Sequence, residues 1–175
     1  MQADLQYPIG KCERLKNLTD SQRRAFIDTI AEAPSRLVAA VAGLTPAQLD
    51  TPYRPGGWSV RQVVHHLPDS HMNAYVRFKL ALTEDVPTIK PYDEARWAEL
   101  ADVKATPIET SLALLVNLHH RWVILLRSLG PGDWSRRFNH PELGPVTLET
   151  SVQLYAWHGQ HHIAHINGLR ARSAW

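Results

Sequence analysis

Apolar residues recur every three to four positions over four long stretches of the chain, and turn residues separate the stretches. Residues 1–18 are irregular, interrupted by Pro8 and Gly10. Thr19, followed three residues later by Gln22, has the form of a capping box and predicts a helix start. Ala25, Ile27, Ile30, Ala31, Leu37, Val38 and Val41 continue from it at helical spacing. Pro34 lies inside this stretch and predicts a bend or a division. Thr45-Pro46 pairs a cap with a proline at the first helical position, which opens a short helix. Residues 51–58 form a loop. Ser59 and Gln62 repeat the capping-box pattern, and the helix they open runs to about Glu84. Val60, Val63, Val64, Leu67, Ala74, Phe78 and Leu82 fall on or near one face of it. Pro68 cannot donate to the carbonyl of Val64, so a kink is expected there. Pro87 and Pro91 punctuate the next connection, with a short helical piece around Trp97. Thr106-Pro107-Ile108-Glu109 combines a cap, a first-turn proline and an acid, and predicts a helix through roughly Leu129, ended by Gly130-Pro131. Residues 131–146 are a polar connection in which a hairpin is only weakly signalled. Thr147 caps a last helix from about Leu148 to Arg172. The pattern predicts an all-α four-helix bundle with irregular connections.

The last of these helices carries the strongest chemical signal, Trp157-His158-Gly159-Gln160-His161-His162-Ile163-Ala164-His165. His158 and His162 are four apart, which stacks them on one helical face within reach of one metal ion. That face is apolar: steps of three and four link Val152, Tyr155, His158, His162, Ile166 and Leu169. Imidazoles in a core stripe need polar partners, which a metal or other buried side chains can supply. A second cluster, His65-His66 with His71, lies on the second long helix. His66 shares a polar stripe with Gln62, Asp69, Ser70, Asn73 and Arg77, while His71 lies nearer Val64, Leu67 and Phe78. Such a stripe is either a solvated face or the wall of an internal pocket. His119 and His120, in the third long helix, point about 100° apart, so at most one of them can join a common site.

Composition narrows the classes of function. The chain has 175 residues, 44% of them hydrophobic, which suits one domain spanning residues 1–175. Nineteen basic and seventeen acidic residues leave +2, too balanced for a nucleic-acid partner to be expected from charge. The single cysteine, Cys12, excludes a disulfide within the chain. No apolar stretch approaches the roughly 20 residues of a membrane span, and the N-terminus lacks the basic and apolar regions of a signal peptide, so a cytoplasmic location and no membrane partner are expected. No Ser-His-Asp order, P-loop or Gly-x-Gly-x-x-Gly pattern is present. Gly56-Gly57 reads as a turn. The ten histidines are therefore where chemistry is expected.

The chain resembles the YfiT branch of the DinB-like four-helix-bundle family. The resemblance is carried by Tyr7-Pro8-Ile9-Gly10, Thr51-Pro52-Tyr53-Arg54, Gly56-Gly57-Trp58, Val60-Arg61-Gln62-Val63-Val64-His65-His66-Leu67 and Asp69-Ser70-His71-Met72-Asn73. It extends through Pro91-Tyr92-Asp93-Glu94, Ser111-Leu112-Ala113-Leu114-Leu115, Trp157-His158 and His161-His162-Ile163-Ala164-His165. It implies one histidine ligand from the second long helix and a His-x-x-x-His pair from the last, which map onto His66, His158 and His162. The choice of His66 over His65 or His71 comes from the resemblance. Pro68 stands two residues after His66, where a good helix former is expected, and could tilt that ligand. The resemblance further implies one divalent metal per chain, Zn²⁺ or Ni²⁺, a small-molecule substrate and a homodimer. The activity it implies is metal-dependent hydrolysis with water as nucleophile, or S-transfer from a low-molecular-weight thiol such as bacillithiol. A metal-binding bundle without catalysis is the third possibility. Gln62, Asp69 and Asn73, on the His66 stripe, and Tyr155 beside His158 are candidates for orienting the imidazoles. Because ligating histidines must be neutral, metal affinity is expected to fall below about pH 6.5.

Overall fold

The computed structural model describes residues 4–175; residues 1–3, where the N-terminal reading begins, lie outside them. Four long helices build the molecule: α1 (Asp20–Val41), α3 (Val60–Thr83), α6 (Ile108–Arg127) and α7 (Leu148–Ser173). The connections hold three short helices, α2 (Pro46–Leu49), α4 (Glu94–Trp97) and α5 (Ala101–Ala105), and a 3₁₀ turn at Asp133–Ser135. They also hold an antiparallel hairpin, β1 (Arg137–His140) and β2 (Gly144–Thr147), which pairs Phe138 with Val146. Helix α1 packs against α6 and α7, and α3 packs against the same two. The consecutive long helices α1 and α3 thus occupy opposite corners of the bundle, as do α6 and α7.

The helix starts follow local chemistry. Thr19, Thr45 and Ser59 each form a full capping box, with Gln22, Gln48 and Gln62 respectively. Thr147 caps α7 through the backbone N–H of Thr150. The start at Thr106 differs from the sequence expectation. Pro107 is the N-cap of α6 with no side-chain cap bond, and Thr106 closes α5 instead. Helix α6 ends at Arg127 rather than Leu129. Within α1, Ala25 and Val38 face solvent.

Pro34 does not divide α1, which runs unbroken from Asp20 to Val41. A proline at position 34 leaves the carbonyl of Ile30 without its helical donor. His119 Nδ1 donates to that carbonyl at 2.7 Å, so a neighbouring helix satisfies it. Helix α3 likewise continues through Pro68, which is buried.

Two apolar clusters fill the bundle. One gathers Ile27, Ile30, Phe78, Trp122, Leu126, Leu148 and Val152, next to the hairpin residue Phe138. The other gathers Leu37, Val63, Val64, Leu67, Leu115, Ile163 and Ile166. In sequence, the gap between the two sets falls between Ile30 and Ala33 on α1, at His71 on α3, at His119 on α6 and at His158–Gly159 on α7. A band of histidines therefore crosses the waist of the bundle. Gly159 permits close packing there: a Cβ on it would meet the Ala33 side chain at 3.3 Å and His71 at 3.7 Å.

Residues 4–18 run along the outside of the bundle against α7. Gln153 holds them by accepting from the N–H of Leu15 at 2.8 Å and donating to its carbonyl at 3.1 Å. The Trp157 indole donates to the carbonyl of Gly10. Among the described residues no helix is long and apolar enough to cross a membrane.

Candidate metal centre

Three imidazoles meet where α3 and α7 face a cleft. His66 comes from α3, and His158 and His162 lie one turn apart on α7. One ring nitrogen from each lies within 4.8 Å of the other two. His66 Nε2 and His158 Nε2 are 3.3 Å apart. Two lone pairs at that distance repel unless a proton or a cation lies between them. Zinc–nitrogen bonds of about 2.0–2.1 Å at tetrahedral angles set ligand nitrogens about 3.3–3.4 Å apart. The observed spacing fits that edge, and imidazole nitrogens suit zinc and nickel alike. No carboxylate belongs to the cluster among the described residues, so it does not have the composition of a two-histidine, one-carboxylate iron triad.

The environment keeps these rings neutral. Burial pushes His66 down to about 4. Burial, and then the adjacent imidazoles, hold His158 and His162 well below the ordinary histidine range. A ring that resists protonation keeps a lone pair for a metal. Trp58 lies over two of the rings, 4.6 Å from His66 and stacked 6.2 Å from His162 between ring centroids. The turn that presents Trp58 needs its two glycines. Gly56 adopts a φ of +68°, and a Cβ on Gly57 would come within 2.8 Å of the Arg54 side chain.

The remaining histidines separate by role. His65 Nδ1 bonds the Ser111 hydroxyl across to α6 at 2.7 Å, away from the cluster. His71 is fully enclosed and contacts His158 from behind, Nε2 to Nδ1 at 3.1 Å. His161 and His165 pack against the N-terminal and loop segments: Trp157 stacks on His161, Tyr53 stacks on His165, and His165 Nε2 bonds the Gln6 carbonyl. His120 is exposed.

Of the side chains expected to orient the ligands, only Tyr155 stands beside them. Its ring centroid is 5.8 Å from His158 and 5.2 Å from His71, and its hydroxyl accepts from Arg77 at 3.5 Å. Gln62 is engaged in the α3 capping box and donates to the Ala98 carbonyl and to Glu99. Asn73 donates to the Asp69 carbonyl one turn back. The Asp69 carboxyl makes no hydrogen bond to the three imidazoles; burial and then Asp102 push it up to about 6. The residue that does reach a nitrogen of the three-histidine cluster is His71. Its place on an apolar stripe hid that role, because the partners lie on two other helices.

The cleft above the cluster has a volume of about 930 Å³. The 53–58 turn, α3 and the segment 91–95 form its walls, and the hairpin closes it with His140, Glu142 and Leu143. Arg54 and Arg77 bring positive charge to it, and Asp93, Glu94 and Glu142 negative charge. Burial pushes the Tyr92 phenol up to about 12, so it remains a hydrogen-bond donor at neutral pH.

A helical bundle with a three-histidine cluster at the floor of a cleft is a scaffold of metal-binding form. The chain belongs to the DinB superfamily, whose model matches residues 29–166. It is 54% identical over 172 residues to a protein of Bacillus mycoides strain KBAB4 named "Putative metal-dependent hydrolase", covering 98% of this chain and 99% of that one. A relative from Bacillus thuringiensis subsp. konkukian has the same identity, coverage and name. Among solved structures it is similar to YfiT from Bacillus subtilis, described as a probable metal-dependent hydrolase with an unusual four-helix bundle topology. The TM-score is 0.95 at 51% identity over 98% of both chains. The four-helix bundle protein TT2238 shares the fold, with a TM-score of 0.54 and 19% identity, covering 87% of this chain and 99% of that one.

Proposed function

We propose that the protein is a divalent-metal-dependent hydrolase acting on a small molecule held in the cleft, with His66, His158 and His162 as ligands to one Zn²⁺ or Ni²⁺. The observation that carries this reading is the convergence of three neutral imidazole nitrogens within 4.8 Å at the floor of an open cleft. The names of the relatives support it. A metal bound there supplies a Lewis acid that polarises a substrate oxygen and makes water a competent nucleophile near neutral pH.

The chain's own residues supply the rest. Three neutral rings add no negative charge, so the ligand set favours an anionic or strongly polarised group at the open side of the site. Trp58 shields His66 and His162 from bulk water, which strengthens electrostatic interactions inside the cleft. Arg77 approaches the Tyr155 hydroxyl at 3.5 Å and lines the cleft, where it can anchor an anionic part of a substrate. The Tyr92 phenol lines the cleft and adds a hydrogen-bond donor.

A second reading, S-transfer from a low-molecular-weight thiol to an electrophile, is favoured by the size of the cleft. About 930 Å³ is near the upper end of the roughly 300–1,000 Å³ of small-molecule sites and leaves room for two reactants. Turnover assays with metal-loaded and chelated protein separate the readings. Hydrolysis of esters or amides in water, lost on chelation and restored by Zn²⁺ or Ni²⁺, is the expected result. Turnover only with added thiol, yielding a thioether, would replace the hydrolase by the transferase. No turnover under either condition by protein with stoichiometric metal would leave a non-catalytic metal-binding bundle.

A further inference from the structure

The histidine band at the waist is a single chain of hydrogen bonds. His119 Nδ1 meets the Ile30 carbonyl at 2.7 Å, and His119 Nε2 meets His71 Nδ1 at 2.8 Å. His71 Nε2 then meets His158 Nδ1 at 3.1 Å. His158 Nε2 is the nitrogen that faces His66 across the metal cluster.

The direction of this chain follows from its far end. A carbonyl oxygen only accepts, so the proton at that contact sits on His119 Nδ1. A neutral imidazole has one N–H, so His119 Nε2 is a lone pair and His71 Nδ1 must be the donor to it. By the same step, His71 Nε2 accepts and His158 Nδ1 donates. His158 is left with its lone pair on Nε2. The rings lie between two apolar clusters, where burial disfavours the imidazolium that would break this alternation. Pro34 starts the sequence of bonds, because it removes the helical N–H that would otherwise occupy the Ile30 carbonyl.

We infer that His71 and His119 are positioning residues that fix the tautomer and ring orientation of His158, so that its Nε2 is presented as a lone pair to a metal in the cleft. A ligating imidazole commonly donates its other N–H to a carboxylate, carbonyl or water. Here two further imidazoles and a proline-freed backbone carbonyl, spread over α3, α6 and α1, perform that task. The inference rests on the reading of His158 as a metal ligand.

The test begins with metal-free wild-type protein carrying ¹⁵N-labelled histidine. Long-range ¹H–¹⁵N correlations at pH 7 are expected to show His119, His71 and His158 all as Nδ1–H tautomers. An Nε2–H tautomer or a charged ring at any of the three overturns the relay. The second arm measures Zn²⁺ affinity by competition with a chromophoric chelator. His119→Phe keeps a ring but removes both bonds, and is expected to weaken Zn²⁺ binding roughly 10- to 100-fold and to release His158 into mixed tautomers. His119→Gln, whose amide both donates and accepts, is expected to recover part of the loss. Unchanged affinity in a folded His119→Phe protein would also overturn the inference. If His119→Phe does not fold, the wild-type tautomers decide. Wild-type protein that binds Zn²⁺ yet shows His158 as the Nε2–H tautomer when metal-free sinks the relay alone. The expected tautomers without any Zn²⁺ binding sink the metal reading, and with it the purpose assigned to the relay.

Discussion

An imidazole ligates a metal only while neutral, so burial of the three proposed ligands decides the pH range over which the proposed site can hold one. From the ordinary histidine value, metal affinity is expected to fall below about pH 6.5. His66, pushed by burial to about 4, and its two partners, held well below the usual range, shift that loss to lower pH. Zn²⁺ occupancy measured against pH should therefore persist to about pH 5 and fall as pH approaches 4. Loss centred on pH 6.5 would mean that the ligands are solvated. The same depression acts on the metal-free protein with a definite sign. The unfolded chain takes up protons below about 6.5, whereas buried His66 and His119 resist until about 4. Their contribution to stability is complete above 6.5 and is lost as pH falls towards 4, at about 1.4 kcal/mol per pH unit for each histidine. Thermal melting of metal-free protein at pH 7 and pH 5 measures it. At this scale the His-x-x-x-His pair was legible in the sequence, because one helical turn brings its members together whatever the fold. His65, His66 and His71 were not separable by spacing. Ser111 on α6, the cleft and His119 divide them, and all are distant along the chain.

Helix boundaries set by side chains within three residues of the cap were the most legible elements. Thr19, Thr45 and Ser59 each find their glutamine locally, three residues along the chain. Ser59→Ala is expected to cost about 1 kcal/mol, read as a lower denaturant midpoint, because α3 loses an N-cap. At Pro34 the alternative of a division failed for the opposite reason. Its local effect is to free a carbonyl, and whether that breaks the helix depends on His119, 85 positions away in the chain. The hairpin was equally faint, since its four-residue strands are too short for an alternating pattern, and Phe138 is fixed by burial in the cluster that holds Trp122. Gly159 of α7 lies against Ala33 of α1. Gly159→Val is expected to destabilise by about 1–3 kcal/mol through overpacking against Ala33, and a thermal melt checks it.

In the molecule as a whole, the histidine band and the apolar clusters do separate work. Leu37, Phe78, Trp122 and Ile166 are fully buried, none of them a member of the three-histidine cluster, and the Arg23–Glu149 ion pair at 2.7 Å joins α1 to α7 independently of it. Removing the metal should leave far-UV circular dichroism unchanged and lower the melting temperature only by the binding linkage, about 4 kcal/mol at a thousandfold excess of metal over Kd. Loss of helix on chelation would show a structural metal instead. The bundle class was legible from periodicity, but the diagonal placement of α1 against α3 was not, because periodicity defines a buried face and leaves its neighbours undefined. The most direct measurement is elemental analysis of tag-free protein reloaded with Zn²⁺ or Ni²⁺. About one ion per chain is expected in the wild type, lost in His66→Ala, His158→Ala and His162→Ala and retained in His120→Ala, whose ring is exposed. A wild-type chain that takes up no metal, or three ligand variants that all keep it, would contradict the three-histidine site.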